Sequence, residues 1–132
     1  MRRIDSLRQF FESNIRGHSC VAGCVRLKTP NEDEFIYEIT RKHDLPTVRV
    51  CLSDAYEYGS DSYAVRPREI GPGDFILVNS FVPGADSVTI EKARNDKLAI
   101  GPWGKLKGAL NFPELWKYRS PQEKEFDARK RF

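Results

Sequence analysis

Carboxylates and basic side chains are the groups in this chain best placed to do chemistry. Glu38 lies within one strand-like run, Asp54 ends another and Asp74 starts a third, and Glu12 lies on the polar side of an amphipathic segment. Carboxylates that converge within about 5 Å can share a hard cation such as Mg2+, and such a cation activates water at a phosphoryl centre. Arg41, Lys42, His43 and Arg49 fall around one turn, and Arg66 and Arg68 follow in a later loop. Gathered on one face, they form a patch for phosphates. Dispersed among Glu and Asp, they are ordinary surface charge.

Other groups point less sharply. Asp54, Glu57 and Asp61 alternate with Tyr56, Tyr58 and Tyr63, either as the beginning of a site at a strand end or as a solvated loop with its rings over the core edge. Asn79 and Ser80 close an apolar run before a helix start, where backbone N–H groups attract anions; capping by Ser87 is the plainer role. Trp103 and Trp116 have the shape to stack on bases and equally to anchor helices. Cys20, Cys24, Cys51 and one histidine would make the four ligands of a structural zinc, but the cysteines lie in apolar, strand-like surroundings that suit buried thiols. Neither His18 nor His43 has the context of a serine hydrolase. No metal site is assigned.

These residues must be positioned by a regular set of elements. Ile4, Leu7, Phe10, Phe11 and Ile15 recur at helical spacing, which predicts a helix over 4–15, with Asp5 or Ser6 as cap and Gly17 as stop. Residues 21–28, 35–42 and 47–52 read as three strands joined by the breakers Thr29-Pro30-Asn31 and His43-Asp44-Leu45-Pro46. Residues 53–68 are polar and irregular, opening with a short helix near Ser53 or Asp54 and interrupted at Gly59. From Asp74 to Asn111 the pattern is strand (75–79), loop (81–86), helix (87–96), strand (98–100) and helix (102–111, with Pro102 in its first turn). The expected domain is 1–111, with 112–132 as a C-terminal extension. Leu115, Trp116 and Tyr118 should pack this extension on the domain or on a partner.

The fold class expected is α/β: an N-terminal helix, a three-stranded meander, then strand–helix–strand–helix on one mixed central sheet. At 132 residues, 39% hydrophobic, the chain can bury one core. A net charge of +3 permits nucleic-acid binding without demanding it. An odd cysteine count points to a reducing compartment, and neither a signal-like run nor a membrane-length apolar stretch is present. The expected location is the cytoplasm.

The segments FILVNS, VTIEKARNDK, LAIG and GKLKGALN resemble the distal part of the restriction-endonuclease-like fold, the PD-(D/E)xK superfamily in its Mrr-like form. The resemblance covers about a third of the chain. It implies an acidic residue on one hairpin strand and an E-x-K or D-x-K on the next, holding Mg2+. In this chain the third strand reads VRVCLSD, with Arg49 and Cys51 where the acid and lysine belong, and YEITRK holds no E-x-K. The motif is not intact.

The expectation that follows is a nucleic-acid-associated or protein-interaction module with a degenerate endonuclease-like fold, in genome defence or DNA processing, without a cofactor. One alternative is an active Mg2+-dependent nuclease with a migrated motif drawn from Glu12, Glu38, Asp54 and Asp74. Another is a protein–protein adaptor or homodimer. The residues expected to meet nucleic acid are Arg41, Lys42, Arg49, Arg66 and Arg68.

Overall fold

A computed structural model describes residues 2–31, 33–79 and 84–130. In chain order the elements are α1 (Arg3–Asn14), β1 (Val21–Arg26), β2 (Ile36–Arg41), β3 (Val48–Ser53), β4 (Glu57–Tyr58), α2 (Ser60–Ala64), β5 (Phe75–Val78), β6 (Gly84–Ala85), α3 (Ser87–Asn95), β7 (Ala99–Gly101), α4 (Trp103–Ala109) and α5 (Pro121–Lys130), with 3-10 turns at Ile15–Gly17 and Leu115–Lys117.

Five strands form one mixed sheet in the order β1-β2-β3-β5-β7. The first three pair antiparallel and the last three parallel. Alternation along each strand divides the core in two. Tyr37, Ile39, Val50, Leu52, Phe75, Leu77 and Ala99 meet α1 and α4 through Ile4, Leu7, Phe11, Leu106 and Ala109. Ile36, Cys51, Ile76, Val78 and Ile100 meet Tyr63 of α2 and Ala93 of α3 on the other side. The helices that follow the adjacent strands β5 and β7 therefore leave toward opposite faces. In open α/β sheets such a reversal opens a crevice beyond the carboxyl ends of the strands.

The turns have specific chemistry. His43 and Asp44 hold φ of 61° and 59°, and Leu45 N–H donates to the Lys42 carbonyl at 3.2 Å, a type I′ turn whose twist matches the hairpin β2–β3. Helix α3 ends in a Schellman motif: Lys97 N–H donates to Arg94 O (2.9 Å) and Leu98 N–H to Ala93 O (2.8 Å). Lys97 supplies the left-handed residue at φ 65°, a position that favours glycine.

Several expectations need correction. Helix α1 begins at Arg3, and its N-cap, Arg2, makes no side-chain cap; Asp5 instead pairs with Arg2 at 2.9 Å. The cap of α3 is Asp86, which accepts from Thr89 N–H at 2.7 Å, because Ser87 already lies inside the helix. The irregular stretch after β3 has its helix after Gly59 rather than before it. The expected loop at 81–86 contains β6, which pairs parallel with β4; its residues 81–83, like Ser80, lie outside the described residues.

The two edges of the sheet are treated differently. Along β1 the register shifts between Val21 and Gly23, and Arg16 donates to the Cys24 carbonyl at 2.8 Å. Along β7 the turn Leu115–Lys117 lies against the strand, with Leu115 fully buried. Residues 115–117 of the C-terminal extension thus pack against the sheet.

Candidate functional site

The sheet places the anticipated acids and bases at the end where β2 finishes and β3 and β5 begin. Glu38 faces Arg49 across β2 and β3, and its carboxylate lies 3.5 Å from the Arg49 guanidinium. Asp74 is next along the row, immediately before β5. One of its oxygens accepts the Arg49 backbone N–H and the other the Gly71 N–H, both at 2.9 Å. Burial raises the Asp74 carboxyl above its usual range, with these two N–H groups opposing the shift. The row across three strands is therefore carboxylate, guanidinium, carboxylate.

The remaining acids lie apart from this row. Glu12 accepts from the Tyr37 hydroxyl at 2.5 Å on the α1 face. Asp54 is exposed beyond β3, as are Glu57 and Asp61. Tyr58 and Tyr63 are core residues, and Tyr63 donates to Asp96 at 2.7 Å. Among the described residues, no three His, Cys, Asp or Glu side chains gather as a metal-binding group. Glu38 and Asp74 do not fit the Mg2+ pair implied by the resemblance, because a guanidinium lies against one and backbone donors hold both oxygens of the other. The zinc arrangement fails on geometry: Cys24 and Cys51 belong to cores on opposite faces, and Cys20 donates to Asn111 at 3.1 Å.

The basic residues divide. Lys42 and Arg68 are exposed. Arg49 reaches the carbonyl of Glu69 at 3.3 Å, on the loop that carries Arg66 and Arg68. Arg66 stacks over Tyr63 at 4.2 Å. Arg41 does not belong with them. It is 5% exposed and donates to the carbonyls of Pro46, Leu110, Phe112 and Pro113 at 2.7, 3.0, 2.6 and 3.2 Å. It closes the end of α4 from inside, so its place in a surface patch is corrected to a structural one.

A second constellation occupies the opposite end of the parallel strands. A cleft of about 1100 Å³ is lined by Val78, Asn79, Gly101, Lys105, Ser120 and Glu123, among others. Lys105 is 4% exposed. Its ammonium donates to Ile100 O at 2.9 Å and to Glu123 at 3.2 Å. Burial lowers its pKa, with Glu123 opposing the shift. Arg94 from α3 donates to Glu123 at 2.9 Å and to Glu91 at 2.5 Å. Arg119 lies 3.2 Å from Glu91 and 3.7 Å from Glu123.

Glu123 is held in place by a capping box that starts α5. Ser120 N–H donates to the Glu123 carboxylate at 3.1 Å, and Glu123 N–H to Ser120 Oγ at 3.2 Å, with Pro121 at the first helical position. Sequence reasoning does not single out Lys105, Arg94, Arg119 or Glu123. The S-P-Q-E spacing at 120–123 is the one signal that could have found them.

No family model matches the chain, and no solved structure matches it. Among curated proteins it is similar to the cytochrome P450 monooxygenases aba2 and abl2 of Botryotinia fuckeliana, 28% identical to each over 94 residues. The match covers 71% of this chain and 16% of each monooxygenase. The chain therefore spans about a sixth of the length of these relatives, and their monooxygenase activity is not carried over to it.

Proposed function

We propose that this chain is a nucleic-acid-binding module on an endonuclease-like scaffold, in which ion pairing stands where metal-dependent cleavage would be built. The observation that carries this reading is the row Glu38–Arg49–Asp74. The endonuclease pattern asks for paired carboxylates and a cation source on neighbouring hairpin strands. Here the cation is Arg49 itself, paired with Glu38 and tied through its backbone to Asp74. The helix–meander–strand–helix–strand order and the sequential strand order β1-β2-β3-β5-β7 support the scaffold. Lys42, Arg49, Arg66 and Arg68, collected at or beside this end of the sheet, support phosphate binding. A role in genome defence or DNA processing belongs to the same proposal.

Fluorescence anisotropy with a double-stranded DNA oligonucleotide across a salt series tests it. Binding should be independent of Mg2+ and weaken steeply with salt. Arg49→Ala with Arg68→Ala should flatten the slope of log K against log salt by about 1.8, at roughly 0.9 for each phosphate that is no longer neutralised. Absence of binding at low salt, or Mg2+-dependent cleavage that disappears on mutating Glu38 and Asp74, would overturn the reading.

A further inference from the structure

The cluster beneath α5 gathers cations from three elements around one carboxylate. Lys105, Arg94 and Arg119 converge on Glu123, and Arg94 and Arg119 also reach Glu91. Burying an ammonium is unfavourable until pairing offsets the lost hydration, and an apolar side chain would fill the same space against β7. Lys105 is nonetheless buried at the point where β7 ends, with its methylenes against Gly101. A Cβ on Gly101 would come within 2.5 Å of Lys105 Cδ, so the glycine makes room for the lysine.

The position is the one where open α/β sheets receive ligands, beyond the carboxyl ends of adjacent parallel strands whose helices leave on opposite faces. Lys105, Ser120 and Glu123 all line the cleft there, and its volume is of the order that small-molecule sites occupy.

Among the described side chains of α5, Glu123 is half-buried, whereas Pro121, Lys124, Glu125, Ala128 and Arg129 are exposed. The Glu123 carboxylate accepts from an ammonium, a guanidinium and a backbone N–H, a donor set that would equally hold another oxyanion. Three separate donors suit the three terminal oxygens of a phosphate monoester better than the two oxygens of a carboxylate. Two of the donors carry full positive charge, which matches the dianion.

We propose that Lys105, Arg94 and the Ser120 backbone N–H bind the phosphate monoester group of a small molecule at the edge of the cleft, with the Arg119 guanidinium close by, and that Glu123 fills this site from within the chain when no ligand is bound. The site lies at the opposite end of the parallel strands from Arg49 and Arg68, so it stands independently of the nucleic-acid reading.

Calorimetric titration of the full chain with inorganic phosphate, phenyl phosphate and malonate tests it. Removing the internal competitor raises the binding-competent fraction and with it the apparent affinity. Glu123→Gln and Glu123→Ala should therefore each bind phenyl phosphate about tenfold or more tightly than the parent chain, and more tightly than they bind inorganic phosphate. Adding Lys105→Met to either variant should abolish the gain. The proposal fails if both Glu123 variants, shown to be folded by circular dichroism, bind phosphate no better than the parent. It also fails if the gain survives removal of Lys105, or if malonate binds as well as phenyl phosphate. DNA binding at the other end should be unchanged in every folded variant.

Discussion

At the scale of single residues, position in the fold decides what a charge does. Arg41 and Arg49 lie on neighbouring strands of the hairpin, yet one is a buried fork on four carbonyls and the other a half-exposed partner of Glu38. A lysine at 41 would keep the charge and lose the planar fork, and alanine would strand the carbonyls at the end of α4. Arg41→Lys should cost about 2 kcal/mol and Arg41→Ala about 4 kcal/mol. The expected readout is a lower urea midpoint at unchanged m-value.

The sequence does not separate these roles. Both arginines fall near the turn at 43–46, and what sets Arg41 apart is the end of α4, about 70 residues further along the chain. Lys105 is hidden for a related reason. In GKLKG its neighbour Lys107 is exposed while Lys105 is buried, and that difference exists only once Glu123, from the extension, reaches the ammonium.

At the scale of elements, local pattern is far more informative. The strands around Cys24, Ile39, Val50 and Ile76, and helices α1, α3 and α4, follow from apolar periodicity and flanking breakers, and all are present within a residue or two. Caps are less legible, because Asp86 and Ser87 are both good N-cap residues and only the helix boundary chooses between them. The short parallel pair β4–β6 has too few residues to leave a periodic trace.

The end of α3 makes a quantitative case. Lys97 holds a left-handed conformation at φ 65°, which costs a residue with a Cβ roughly 1 kcal/mol relative to glycine. Lys97→Gly should therefore stabilise the protein by about that amount, less what glycine returns as unfolded-state entropy. Thermal unfolding should show a higher midpoint. A lower one would mean that the Lys97 side chain carries an interaction of its own.

At the scale of the molecule, the C-terminal extension completes the fold. Leu115 fills the core, Trp116 O accepts from Arg94 at 3.2 Å, and the carbonyls of Phe112 and Pro113 receive Arg41. A chain ending at Asn111 would forgo all of these together and uncover β7. It should melt well below the full chain and self-associate in light scattering, since an uncovered strand edge pairs with others. A truncated chain as stable as the parent and no more self-associated would show that the extension is dispensable. No described helix is long and apolar enough to cross a membrane.

The unequal edges have a consequence for crowded conditions. Growth of a β-fibre needs every unit to offer two open sides, one to join and one to be joined. In the five-stranded sheet, residues 115–117 pack near β7 and β1 is kinked between Val21 and Gly23, so neither outer strand is a long, flat open edge. Strand-to-strand growth along this sheet is therefore disfavoured from both sides.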